Sequence, residues 1–169
     1  MLSPPSEIAR LVEEHGARGV LLDANLLVLY VAGRHDQRLV ASLKATRSLG
    51  LGARDFQLVV AAVGAFGPLL TTPHVLTEVN GLLNTGLPGR HRWDVMSTFS
   101  AVIGESAETS ASAPALARDP LFRRLGLTDA SILSLAVAGP VVMSTDLNLC
   151  VALESRGLKV INYNRIRPL

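Results

Sequence analysis

Four short, mostly apolar runs constrain this chain more than any other feature. They are Gly19-Val-Leu-Leu-Asp23, Leu69-Leu-Thr-Thr72, Val141-Val-Met-Ser144 and the stretch 159–163. None alternates apolar with polar residues, as a strand with one wet face does, so each reads as a strand covered on both sides. The longer segments between them carry apolar residues at helical spacing. Buried strands alternating with helices predict an α/β fold, a three-layer sandwich with a central, mainly parallel β-sheet flanked by helices.

The helical pattern predicts a short amphipathic helix over 6–15 on Ile8, Leu11 and Val12, and another over 24–32 that Gly33 stops. Two more are expected over 35–49 and 54–66, split by Gly50-Leu-Gly52, and together they form a helical insertion around 35–66. Pro73 sits where a helix starts, the position that tolerates proline best, and Val75, Leu76, Val79, Leu82 and Leu83 continue that helix until Gly86. Trp93, Met96, Ser100 and Ile103 mark one face of the next helix, with Trp93, the single tryptophan, read as core. The Ser- and Ala-rich segment 105–117 carries the weakest pattern and reads as a loop or short edge strand. Thr128 is expected to cap a helix over 128–138. A last helix over 147–156 stops at Gly157.

Composition bounds the function classes. With 49% hydrophobic and 18% charged residues, 169 residues form one folded domain rather than a disordered chain. The longest stretch without Asp, Glu, Lys or Arg, 56–77, is interrupted by Gly64, Gly67, Pro68 and Pro73, so no membrane span is expected. Pro4, Pro5 and Glu7 stand where a signal peptide needs an apolar block, and the single cysteine, Cys150, makes no internal disulfide; a cytoplasmic protein is expected. The formal charge of +2 excludes a purely electrostatic nucleic-acid binder. No glycine-rich phosphate loop is present.

The fourteen acidic residues can be read one at a time. Asp23 and Asp146 end strands, Glu78 lies on an apolar helix after the second strand, and Asp129 opens the helix Thr-Asp-Ala-Ser-Ile-Leu. Taken singly, a strand-end Asp is often the next helix's cap, and Asp129 favours the helix dipole. Taken together, all four belong at the carboxyl edge of a parallel sheet, where ligands bind. Four carboxylates in a partly dry crevice raise one another's pKa, and a divalent cation relieves the conflict. Oxygen ligands point to Mg²⁺ or Mn²⁺. Such a set, with Asn25, Ser144, Thr145 and Asn148 as supporting polar neighbours, suits phosphodiester hydrolysis.

On these residues the chain resembles the PIN-domain nucleases, the fold shared by VapC-type toxins and several RNA-processing endonucleases. Asp23-Ala-Asn25 is similar to the family's first motif, Glu78 to its second acid, Asp129 to its third, and Ser144-Thr-Asp146 with Leu147-Asn148-Leu149 to its fourth. The resemblance spans 19–163. It implies metal-dependent cleavage of single-stranded RNA, with Asp23, Glu78, Asp129 and Asp146 as catalytic metal ligands. It also implies an antitoxin protein as partner and a homodimer as the assembly. The long gap between Asp23 and Glu78, and the length of 90–125, set the chain apart from compact toxins. A haloacid-dehalogenase-like phosphatase needs a second Asp where Asn25 stands, and a response-regulator receiver needs a strand-end Lys that neither Lys44 nor Lys159 provides. The rival reading is a PIN-like module that binds RNA or a protein without cutting. Arg90, Arg92, Arg123 and Arg124 are the candidate RNA contacts, with a solvated charged face as their alternative role.

Overall fold

The computed structural model describes residues 6–87 and 89–167, so the expectations for 1–5 lie outside the described residues. The core is a five-stranded, all-parallel sheet with helices packed along it. The strands are β1 (Val20–Leu22), β2 (Leu69–Thr71), β3 (Ala107–Glu108), β4 (Val141–Ser144) and β5 (Val160–Asn162), in the order β3-β2-β1-β4-β5. All residues of β1 and β4 are buried, as runs without polar alternation require.

In register, Val20 faces Leu69 on one side and Val141 on the other, and Leu22 faces Met143. β1 is therefore central. The connection from β1 leads to one side of the sheet, and β4 lies on the other, which makes the carboxyl ends of β1 and β4 a topological switch point. Gly19 introduces β1 at φ 87°, and a side chain there would meet the Pro68 carbonyl oxygen at 2.3 Å, so only glycine fits this entry.

Eleven α-helical segments are described. These are α1 (Ser6–His15), α2 (Ala24–His35), α3 (Gln37–Val40), α4 (Lys44–Ser48), α5 (Ala53–Ala65), α6 (Pro73–Gly86), α7 (Gly89–Glu105), α8 (Ala113–Leu116), α9 (Phe122–Ala136), α10 (Leu147–Ser155) and α11 (Tyr163–Ile166). Helices α3, α4 and α5, which fill the segment 35–66, all pack on α2. Buried Asp55 anchors this segment: it bonds the Gly52 N–H at 2.8 Å and accepts the Tyr163 hydroxyl at 2.9 Å, tying the insertion to the end of the sheet.

Several boundaries differ from those the sequence predicts, each for a local reason. Gly33 does not stop α2. It lies inside the helix because the Phe56 ring rests on it, so close that a Cβ would stand 2.2 Å from the ring. The predicted helix over 35–49 is broken in two, since Asp36 caps α3 by accepting the Arg38 N–H and Leu43 is extended. The predicted cap Thr128 lies inside α9, whose backbone kinks at Gly126 with φ 85°. Segment 105–117 holds both the edge strand β3 and the short α8. The expected core face of α7 is wrong: Val95, Phe99 and Val102 are buried, whereas Trp93 is 82% exposed. Among the described residues no helix is long and apolar enough to cross a membrane.

Candidate functional site

The switch point is built from β1 outward. Asp23 follows β1 directly, and its backbone N–H reaches the Met143 carbonyl across the β1–β4 pair at 3.0 Å. Its side chain is buried and does two jobs. Oδ1 accepts the Leu26 N–H at 2.8 Å and so caps α2. Oδ2 accepts three donors: the Ser144 hydroxyl at 2.6 Å, the Thr145 N–H at 2.7 Å and the Thr145 hydroxyl at 3.1 Å. Burial raises the Asp23 pKa, and the bonds from Ser144, Leu26 and Thr145 work against that rise.

Ser144 links the two strand-end acids. While its hydroxyl donates to Asp23, it accepts the Asp146 N–H at 2.9 Å. Asp146 in turn caps α10, with Oδ1 accepting the N–H groups of Asn148 and Leu149 at 2.7 and 3.1 Å. Both bonds fall on Oδ1. Asn148 thus meets Asp146 through its backbone, while Thr145 is steadied by Asn164, whose side-chain amide donates to its carbonyl at 2.8 Å.

Asp23, Asn25, Glu78, Asp129 and Asp146 line one pocket of about 250 Å³, together with the backbone run 125–128. The four acids come from four places: the end of β1, the middle of α6, the second half of α9 and the turn after β4. Asp129 is half-buried, and its pKa is pushed up to about 7, first by burial and then by the charges of Asp146, Glu78 and Asp23. The arginine–carboxylate pairs Arg34–Glu105, Arg38–Asp36, Arg156–Asp119, Arg165–Glu154 and Arg167–Asp55 take other acids. Burial first, and repulsion from the other three acids second, favour the protonated form of Asp129.

The donor set is all carboxylate with one amide, the hard-oxygen chemistry that Mg²⁺ and Mn²⁺ prefer. Among the described residues, no three Asp, Glu, His or Cys side chains are gathered closely enough to hold an ion as they stand. Like-charged carboxylates spread apart unless a cation draws them in. Glu78 and Asp146 are exposed, so their side chains have rotamers available for closing the site.

The predicted arginines fall into two groups. Arg123 and Arg124 occupy the first turn of α9, directly before the pocket-lining run 125–129. Arg90 and Arg92 lie elsewhere, at the start of α7 beside Trp93. Leu125, Gly126 and Leu127 are part of the pocket wall that the sequence reading missed. Its signal was Gly126 in Leu-Gly-Leu-Thr, the glycine at which the helix kinks with a positive φ. Cys150 is packed as expected, with its thiol pushed up to about 12 by burial and then by Asp23. No family model, curated protein or solved structure matches the chain.

Proposed function

We propose that this protein is a Mg²⁺- or Mn²⁺-dependent endoribonuclease of the PIN type, hydrolysing phosphodiester bonds of single-stranded RNA. The observation that carries the reading is that Asp23, Glu78, Asp129 and Asp146, from four different elements, line one pocket at the switch point of a parallel sheet, where burial and then the other three acids raise the Asp129 pKa. Purely structural caps have no reason to converge in this way.

When bound, a divalent cation polarises the phosphate and activates a water for in-line attack. The chain's own contribution is positioning. Ser144 and Thr145 fix Asp23 through three donors, so this carboxylate meets its ligand without reorganising. Ser144 also sets the spacing between Asp23 and Asp146. Asp129, pushed up to about 7, would give up its proton when a cation binds, and Glu78 and Asp146, being exposed, are free to complete the ligand set from two other elements. Arg123 and Arg124 stand beside the rim, where backbone phosphates of a bound strand pass.

A second reading, a PIN-like module that binds RNA or a protein without cutting, is favoured by one observation: the acids are not gathered into a chelating set. The two readings separate in a digest of end-labelled single-stranded RNA with Mn²⁺. The nuclease reading expects cleavage by the wild type and none by Asp23→Asn or Asp146→Asn. Asparagine caps helices as well as aspartate does, so Asp146→Asn removes a charge and keeps the α10 cap. Intact RNA with the wild type, or equal cleavage by the variants, would reject the assignment.

A further inference from the structure

We infer that the exposed indole of Trp93, with Arg92 beside it in the groove, is a base-stacking subsite for a single-stranded nucleic acid, separate from the acid pocket. The inference rests on the nuclease reading for its choice of RNA. It concerns a different surface, a groove lined by Asn84, Gly89, Arg92, Trp93 and Met96 between the end of α6 and the start of α7.

Trp93 is 82% exposed, an unusual setting for the largest apolar side chain in a chain that buries most of its others. Successive helical residues are about 100° apart, so Arg92 and Met96 fall on one side of Trp93 and Asp94 on the other. The groove side is therefore apolar and cationic at once. Arg90 falls on the Asp94 side, with its Nε donating to the His91 Nε2 at 3.0 Å, and the His91 ring packs edge-on against His35 at 6.5 Å. The first turn of α7 thus presents the Arg92 guanidinium on the groove side of an open aromatic face, with Arg90 flanking it on the other.

A protein interface needs about 800 Å² from each partner, far more than one indole and one thioether supply. A nucleic-acid strand needs less, because a single base stacks on the ring while neighbouring phosphates meet the arginines. The placement also suits a strand that enters the acid pocket. Glu78 borders that pocket and Asn84 borders the groove, about 9 Å apart along the α6 axis and about a third of a turn apart around it, so a strand that reaches both passes partly round this helix.

Trp93 is the only tryptophan, so intrinsic fluorescence reports this site alone. The test titrates a short oligouridylate into the protein in EDTA, where cleavage is off. The expected result is saturable quenching that weakens with salt, together with about ten-fold weaker binding by Trp93→Ala, measured by fluorescence anisotropy of labelled RNA. Trp93→Phe, which keeps a ring, should restore most of the affinity. Unquenched emission, or equal RNA affinity of the wild type and Trp93→Ala, overturns the subsite. So does emission that responds to protein concentration and not to RNA, which would make the groove a contact between copies. If RNA binds and quenches but is never cut, the nuclease reading fails and the subsite stands. If RNA is cut with unchanged KM by Trp93→Ala, the subsite fails and the nuclease stands.

Discussion

Replacing Asp129 by Asn should make the cation-free protein more stable at alkaline pH. The Asp129 carboxyl titrates at about 7 in the fold, against an ordinary value of 3.8. Between those limits the folded state holds a proton that the unfolded chain releases. The stabilising contribution is therefore complete below about pH 4 and is lost as pH rises through 7. Three units correspond to about 4 kcal/mol, but the group is only half-buried and solvent screens its neighbours, which reduces the figure to about 1–2 kcal/mol. Asparagine carries no charge to be repelled. Urea unfolding at pH 5 and pH 8, in EDTA, measures the effect as a difference of differences. On going from pH 5 to pH 8, Asp129→Asn should gain about 1–2 kcal/mol relative to the wild type, or about 2–8 °C in melting temperature. Adding Mn²⁺ at pH 8 should then stabilise the wild type, by about 2.7 kcal/mol at a hundred times Kd, and leave Asp129→Asn behind. Identical pH dependence in the two proteins would refute the reasoning.

Other substitutions probe neighbouring parts of the account. Ser144→Ala removes a donor from buried Asp23 and the acceptor of the Asp146 N–H, so it should cost about 1–3 kcal/mol in urea unfolding. The same change should shift the acid limb of the RNA-cleavage profile to higher pH, because the Ser144 bond lowers the Asp23 pKa. Gly33→Ala drives a methyl into the Phe56 ring and should lower stability by about 1–2 kcal/mol after its gain in helix propensity, read by thermal melting. A melt unchanged or raised would show that Phe56 moves aside freely. Cys150 should resist iodoacetamide in the folded protein and react after unfolding, as a buried thiol pushed up to about 12 requires, with mass spectrometry as the readout.

The architecture was legible where physics acts on short windows. Val-Leu-Leu is apolar throughout and Val-Val-Met-Ser carries only a terminal Ser, because every residue of β1 and β4 is buried, and such runs have few alternatives to a buried parallel strand. The edge strand β3 was legible only as one of two alternatives for segment 105–117, since both its residues are exposed and its pairing with Leu70 and Thr71 is a backbone matter that leaves no side-chain pattern. Tertiary contacts hid the rest. Gly33 reads as a helix stop until Phe56 is known to lie on it, and the face of α7 was misread by a step because Trp93 outweighs Val95, Phe99 and Val102 in any hydrophobic pattern.

The candidate site divides in the same way. Asp23, Glu78, Asp129 and Asp146 could be picked out because each is an acid in apolar surroundings, and all four line one pocket. Both strand-end aspartates are helix caps and also line the pocket, so capping does not take either side chain away from the candidate site. What the sequence could not supply is the wiring: the Ser144 hydroxyl between two acids, the Asn164 brace on Thr145, and the kink at Gly126 that carries the wall of the pocket. Those depend on residues brought together from distant parts of the chain.

The central claim is that four carboxylates form one cation site, and calorimetric titration of Mn²⁺ at pH 8 tests it most directly. The account predicts saturable binding by the wild type and at least about ten-fold weaker binding, a loss of about 1.4 kcal/mol, when Asp23, Glu78, Asp129 or Asp146 is individually replaced by its amide. No binding to the wild type, or binding that survives any two of these replacements unchanged, would contradict it.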